Sequence, residues 1–194
     1  MRYAVASDIH GSAVWCRRML DDASARGADK LILLGDLMYH GPRNPLPEGY
    51  DPAEVTRMLN GWSERIVAVR GNCDSEVDQM LLEFPCMGDY VIVMDDGVQM
   101  LCTHGHLDIC GLDFRESLSN GGRIQTDRPM LSDGSIVFSG HTHVKIDETP
   151  STMEGSTPVR GLRHINPGSV GLPKDGTHSY AVYEDGVVEF IELK

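Results

Sequence analysis

The strongest constraint in this chain is where its metal-ligating side chains fall. Five short apolar runs each end in a turn that carries carboxylate, amide or imidazole groups. Residues 2–7 (RYAVAS) lead into Asp8 and His10, and residues 30–34 (KLILL) lead into Gly35-Asp36. Residues 65–69 (RIVAV) lead into Gly71-Asn72, residues 99–103 (QMLCT) into His104 and His106, and residues 135–138 (SIVF) into Gly140-His141 and His143. In open α/β sheets, ligands bind at the carboxyl ends of the strands. A fold that satisfies this pattern brings five strand ends to one place.

The segments between the runs say how. Residues 12–26 have helical composition with Gly27 as a C-cap, and residues 52–62 form a second helix with Pro52 suited to its first turn. Strands alternating with helices imply βαβ units and parallel pairing. The second half changes character. Residues 91–94 and 99–103 flank a DDG turn at 95–97, and the closing SYAVYEDGVVEFIEL reads as a hairpin about Glu184-Asp185-Gly186. The expected class is α/β with an α+β second half: mixed sheets, helices outside, and one domain over residues 1–194. Residues 111–134 yield no assigned element, and there is no internal repeat.

The net charge of −12, from 17 basic against 29 acidic residues, excludes a basic face for extended nucleic acid or an anionic membrane. Carboxylates gathered around cations would be neutralised in the working protein. Five cysteines (Cys16, Cys73, Cys86, Cys102, Cys110) without CxxC spacing read as reduced thiols. With neither a signal-peptide pattern nor a span-length apolar stretch, the expected location is the cytoplasm.

Taken singly, each donor has a structural explanation. Asp8 and Asp36 suit helix N-caps, Asn72 suits a turn, and the H-G-H and H-T-H pairs occur in turns. Caps and turns do not explain why such groups recur at five successive strand ends. Carboxylate and imidazole without a thiolate pair suit Mn²⁺, Fe²⁺, Zn²⁺ or Co²⁺, and the donors outnumber what one ion needs. They suit two ions bridged by a carboxylate, roughly 3.5–4 Å apart.

The series D-x-H (Asp8, His10), G-D (Gly35, Asp36), G-N-C-D (Gly71–Asp74), H-G-H (His104–His106) and G-H-T-H (Gly140–His143) resembles the calcineurin-like metallophosphoesterase superfamily over residues 4–171. The stretches YHGPRNPLPEGYDP, RGNCDSEVDQMLLEFP and INPGSVGLPK are similar to its bacterial YfcE-type phosphodiesterases, a branch that also includes Vps29-like proteins. The resemblance implies a four-layer αββα sandwich, two facing mixed sheets flanked by helices. It places Asp8, His10, Asp36 and His143 around one divalent ion. Asp36, Asn72, His104 and His141 surround a second, with Asp36 bridging and Mn²⁺ the favoured metal.

The implied chemistry is attack on a small phosphodiester by hydroxide bridging the two ions, with no covalent intermediate. The catalytic set is then Asp36, Asn72, Cys73 and His106, and the substrate contacts are Asn72, His106 and Arg43. Cys73 stands where much of the superfamily has a histidine. A thiol with a pKa of about 8.5 is a poorer proton donor at neutral pH than imidazolium, which favours activated aryl diesters. His40 and Asn44 are further phosphate candidates, Asp74 a helix cap or imidazole orienter, Asn166 and Ser169 turn residues bracing the site, and His164 and His178 ordinary. The competing functions are a non-catalytic interaction scaffold, which a complete donor set disfavours, and phosphomonoester hydrolysis, which the same centre tolerates. A homo-oligomer is compatible with the sequence.

Overall fold

The computed structural model describes residues 1–107, 109, 129–150 and 159–194. Cys110 and most of the 106–134 segment lie outside the described residues. The strands are β1 (Tyr3–Ala6), β2 (Lys30–Leu33), β3 (Ile66–Ala68), β4 (Tyr90–Asp95), β5 (Val98–Thr103), β6 (Ile136–Phe138), β7 (Lys145–Glu148), β8 (Arg163–Pro167), β9 (Ser179–Glu184) and β10 (Val187–Glu192). The helices are α1 (Ala13–Ala25), α2 (Pro52–Asn60) and α3 (Glu76–Leu81).

The strands form two five-stranded mixed sheets, ordered β10-β9-β1-β2-β3 and β4-β5-β6-β8-β7. In the first, β1, β2 and β3 are parallel and β9 returns antiparallel to β1. In the second, β5, β6 and β8 are parallel, with β4 and β7 antiparallel at the edges. Both expected hairpins are present, with Asp96 and Asp185 at positive φ ahead of Gly97 and Gly186.

Period-2 alternation assigns the two faces of the first sheet. Ala4, Ala6, Leu31 and Leu33 point to a core shared with Trp15, Met19 and Leu20 of α1 and Val55 and Leu59 of α2. Tyr3, Val5, Ile32 and Leu34 point the other way, between the sheets, against Met100, Cys102, Ile136, Phe138 and Ile165. That two-sided burial is why β1 and β2 read as unbroken apolar runs. Leu101, Ile109, Val137 and Leu162 form a third cluster on the outer face of the second sheet. Among the described residues no helix covers that face.

Asp8 and Asp36 cap no helix. Ser12 caps α1 and accepts from the Trp15 N–H at 3.5 Å, and Asp51 caps α2 and accepts from Glu54 N–H at 3.0 Å. Both carboxylates are thereby left for another use. Strands β7 and β8 carry no sequence signal that we read, because KIDE and RHINP are half polar. Yet β8 lies inside the second sheet, where His164 and Asn166 are buried and hydrogen-bonded. Four described cysteines (Cys16, Cys73, Cys86, Cys102) are free thiols. Among the described residues no helix is long and apolar enough to cross a membrane.

Phe138, fully buried between the sheets and edge-on to Tyr183 at 6.3 Å, leads directly into the Ser139–His143 turn. Phe138→Ala should cost about 3–5 kcal/mol of unfolding free energy in a urea titration. A loss below about 1 kcal/mol would show that the inter-sheet core tolerates the cavity.

Candidate metal centre

Parallel pairing of β1, β2 and β3, and of β5, β6 and β8, aligns their carboxyl ends along one edge of the sandwich. The turns there interlock through their backbones. Asp8 N–H donates to Gly35 O at 3.1 Å, His10 N–H to Asp36 O at 2.9 Å, Gly140 N–H to His104 O at 2.9 Å and Gly171 N–H to Asp8 O at 2.9 Å. The packing is tight enough that a Cβ at Gly71 would meet the Asp36 carboxylate, and one at Gly140 the Ser7 side chain.

Seven described non-glycine residues have positive φ. Two are the hairpin residues Asp96 and Asp185; the other five are Asp8, His10, Asp36, His141 and His143, at φ of 50–69°. Left-handed backbone at a non-glycine residue costs on the order of 1–3 kcal/mol and persists where the surroundings over-determine it, commonly at functional sites. Here it turns each donor side chain inward.

Three imidazoles are oriented by backbone carbonyls. His10 Nδ1 donates to Tyr39 O at 2.8 Å, His104 Nδ1 to Leu34 O at 2.7 Å and His143 Nδ1 to Leu172 O at 2.5 Å. With Nδ1 as the donor, each Nε2 lone pair faces the cluster. His10 Nε2 and His143 Nε2 lie 3.2 Å apart, and both approach Asp8 Oδ1, at 3.5 and 3.2 Å. Asp8 is fully buried and its Oδ1 makes no hydrogen bond. Three lone-pair donors facing one another call for a cation between them. His104 Nε2 stands 3.0 Å from Asn72 Oδ1 and 3.5 Å from Asp36 Oδ2, so this second place also needs positive charge.

The electrostatics agree. Burial disfavours the carboxylates, but the imidazoles outweigh it, holding Asp8 well below the usual carboxylate range and Asp36 at about 2. Burial likewise disfavours a charged His104, yet Asp36 drives it up to about 10. His106 and His141 fall to about 4 through burial and the neighbouring charge of His104. Donor atoms of Asp8, His10 and His143 lie within 4.8 Å of one another, as do those of Asp8, Asp36 and His104. The donor set therefore fits divalent metal ions.

Residues 1–185 match the Calcineurin-like phosphoesterase superfamily domain. The chain belongs to that superfamily. Membership makes it a hydrolase of phosphate esters and implies divalent metal ions at the cluster. Phosphodiesterase YfcE of Escherichia coli K12 is 40% identical over 195 residues, covering 100% of this chain and 92% of that protein. A solved structure of the phosphoesterase YfcE from E. coli matches with a TM-score of 0.78 at 34% identity, covering 100% of both chains. Vps29 of Cryptosporidium parvum shares the fold at 16% identity and a TM-score of 0.56, covering 98% of this chain and 95% of its own.

A cavity of about 670 Å³ opens beside the phosphoesterase cluster. Asp36, Asn72, Cys73, His141 and His143 line it, together with Arg43, Asn44 and Lys174. His106 is not among the lining residues; its ring packs against His104 and His141, with centroids 5.2 and 6.3 Å away. His40 makes edge contacts with Tyr39 and Tyr50 while its buried Nδ1 has no hydrogen-bond partner, and Asn44 donates to His40 O at 2.8 Å. Cys73 donates its backbone N–H to Asp36 Oδ1 at 2.7 Å. Its Sγ falls within 4.8 Å of the donor atoms of His10 and Asp36. Burial and then Asp36 push that thiol upward, so it is protonated.

Asp74 neither caps α3 nor orients an imidazole. The cap is Ser75, whose N–H donates to Asp78 at 2.8 Å, and the Asp74 carboxylate instead accepts from Asp36, Leu37 and Gly71 N–H at 2.7–2.8 Å. Asn166 donates to Gly140 O at 2.7 Å and Ser169 to Asp8 O at 2.8 Å, bracing the turns as expected. His164 bonds Ser139 Oγ, and His178 stacks on Trp15. Lys174 is a charged lining residue with no sequence signal, since an isolated loop lysine carries none.

Asp74→Asn keeps the shape but loses an acceptor oxygen and sets an amide against a backbone N–H. Calorimetric Mn²⁺ affinity should fall roughly 10–100-fold, as for other groups that orient metal ligands. Unchanged affinity would leave Asp74 without a part in positioning Asp36.

Proposed function

We propose that residues 1–194 act as a single metal-dependent phosphodiesterase domain on small diesters, with a preference for activated aryl esters. The observation that carries this is Asp8 Oδ1, buried and without a hydrogen bond, facing the Nε2 atoms of His10 and His143. Asp8, His10, Asp36 and His143 would hold one divalent ion, and Asp36, Asn72, His104 and His141 the other, with Asp36 shared. Oxygen and nitrogen donors favour Mn²⁺ among the borderline metals. When bound, the two ions supply Lewis acidity, giving hydroxide from water near neutral pH and neutralising phosphate oxygens for in-line displacement.

This chain's own residues do the rest. Asn72 and Arg43 line the cavity and suit the phosphate oxygens, Arg43 bidentately. The loop carbonyls of Tyr39, Leu34 and Leu172 keep three imidazoles in the ligating tautomer. Cys73 offers a protonated thiol that releases its proton reluctantly, so departure of a poor leaving group goes unassisted from this position. His106, in ring contact with His104 and His141, is a further candidate for contact with the phosphate. The fold also serves Vps29 proteins, but here every donor position is filled, which favours catalysis over a scaffold.

Metal-stripped protein reconstituted with Mn²⁺ should hydrolyse an aryl diester at least about tenfold faster than the matching aryl monoester. Stoichiometric metal binding with no turnover of either would support the scaffold, and a faster monoester would make the protein a phosphomonoesterase. Cys73→His should raise turnover of alkyl-leaving diesters by roughly tenfold or more, within the range of general acid catalysis. If Cys73→His and Cys73→Ala both keep the parental rates and preferences, the leaving-group role of this position is wrong.

A further inference from the structure

Two loops border the cavity, and each is tied to a donor imidazole. Tyr39 O accepts from His10 Nδ1, and four residues on the same loop presents Arg43. Leu172 O accepts from His143 Nδ1, and two residues on Lys174 follows, its own N–H donating to His143 O at 3.0 Å. Both cationic side chains are exposed and line the same cavity. Among the described residues half of the guanidinium and ammonium groups are matched to carboxylates, as in Arg70–Asp89 at 2.6 Å, Lys145–Asp175 at 2.9 Å and Arg163–Asp147 at 2.6 Å. Among the described residues Arg43 and Lys174 form no ion pair.

Two cations without an ion pair, on the loops bonded to His10 and His143, exceed what a single scissile phosphate needs. The cavity, at about 670 Å³, is also larger than a phosphate group and of a size for a nucleotide-sized ligand. We infer that Lys174 forms a second anion subsite, so that the substrate class is a phosphodiester carrying a further anionic group, such as a second phosphate, on its retained portion. With Arg43 engaged at the scissile phosphate, Lys174 meets the remote charge. This rests on the phosphodiesterase reading for its substrate. The exposed Tyr39 ring, also on the cavity wall, gives such a molecule an aromatic surface to lie against.

The test compares the aryl ester of thymidine 5′-phosphate with the same diester phosphorylated at the 3′ position, using Mn²⁺-loaded protein. The added phosphate should lower KM roughly tenfold while kcat stays within about twofold, and the advantage should shrink at about 0.5 M salt. Lys174→Gln should remove most of that ratio and Lys174→Glu should invert it. Because the readout is a ratio between two substrates, a general loss of activity cancels. No preference in the parent, or a preference that survives Lys174→Glu, overturns the subsite. If neither diester is cleaved, the phosphodiesterase reading fails, and calorimetry of thymidine 3′,5′-bisphosphate against thymidine 5′-monophosphate decides the subsite alone. A tenfold preference lost in Lys174→Glu then upholds it, and equal binding overturns it.

Discussion

Everything at the working edge of this molecule follows from two carboxylates, Asp8 and Asp36, held at 0 and 2% exposure. A buried carboxylate is costly unless positive charge and hydrogen bonds compensate it. The imidazoles around them commit their outer nitrogens to backbone carbonyls, leaving Nε2 and the carboxylate oxygens to converge where a cation would compensate them. The result is a cluster of lone pairs that is complete as a donor set and incomplete as a set of hydrogen bonds.

The sandwich exists in the form it does because those donors must be held against their mutual repulsion. Parallel pairing sends several strands toward the same edge, and the turns leaving them donate and accept among themselves. Asp and His occupy left-handed backbone there, a conformation that β-branched residues would resist more strongly. The stabilisation that offsets this comes from the cores on both faces of the first sheet, where no water reaches β1 or most of β2.

Much of this was legible in the residues themselves. Apolar runs ending in D-x-H, G-D, G-N, H-G-H and H-T-H announced both the strand ends and the donors, because strand geometry projects whatever follows it. The hairpins at Asp96-Gly97 and Asp185-Gly186 were legible for the same local reason, a turn that needs positive φ. Strands β7 and β8 were not. Their buried polar residues gain partners such as Ser139 Oγ and Gly140 O only once distant turns are in place. Asp74 was misread because its three N–H donors include Asp36 and Leu37, which lie far from it in sequence.

The sequence alone determined the identity and order of the candidate ligating groups, since residue type and strand-end position decide which atoms can meet a metal. It also set a thiol, Cys73, directly after Asn72. Tertiary structure decided which of those atoms face each other, that Lys174 lines the cavity, and that backbone carbonyls orient the imidazoles of His10, His104 and His143. Those are contacts between segments far apart in the chain, and no local pattern encodes a distance that only the packing of two sheets sets.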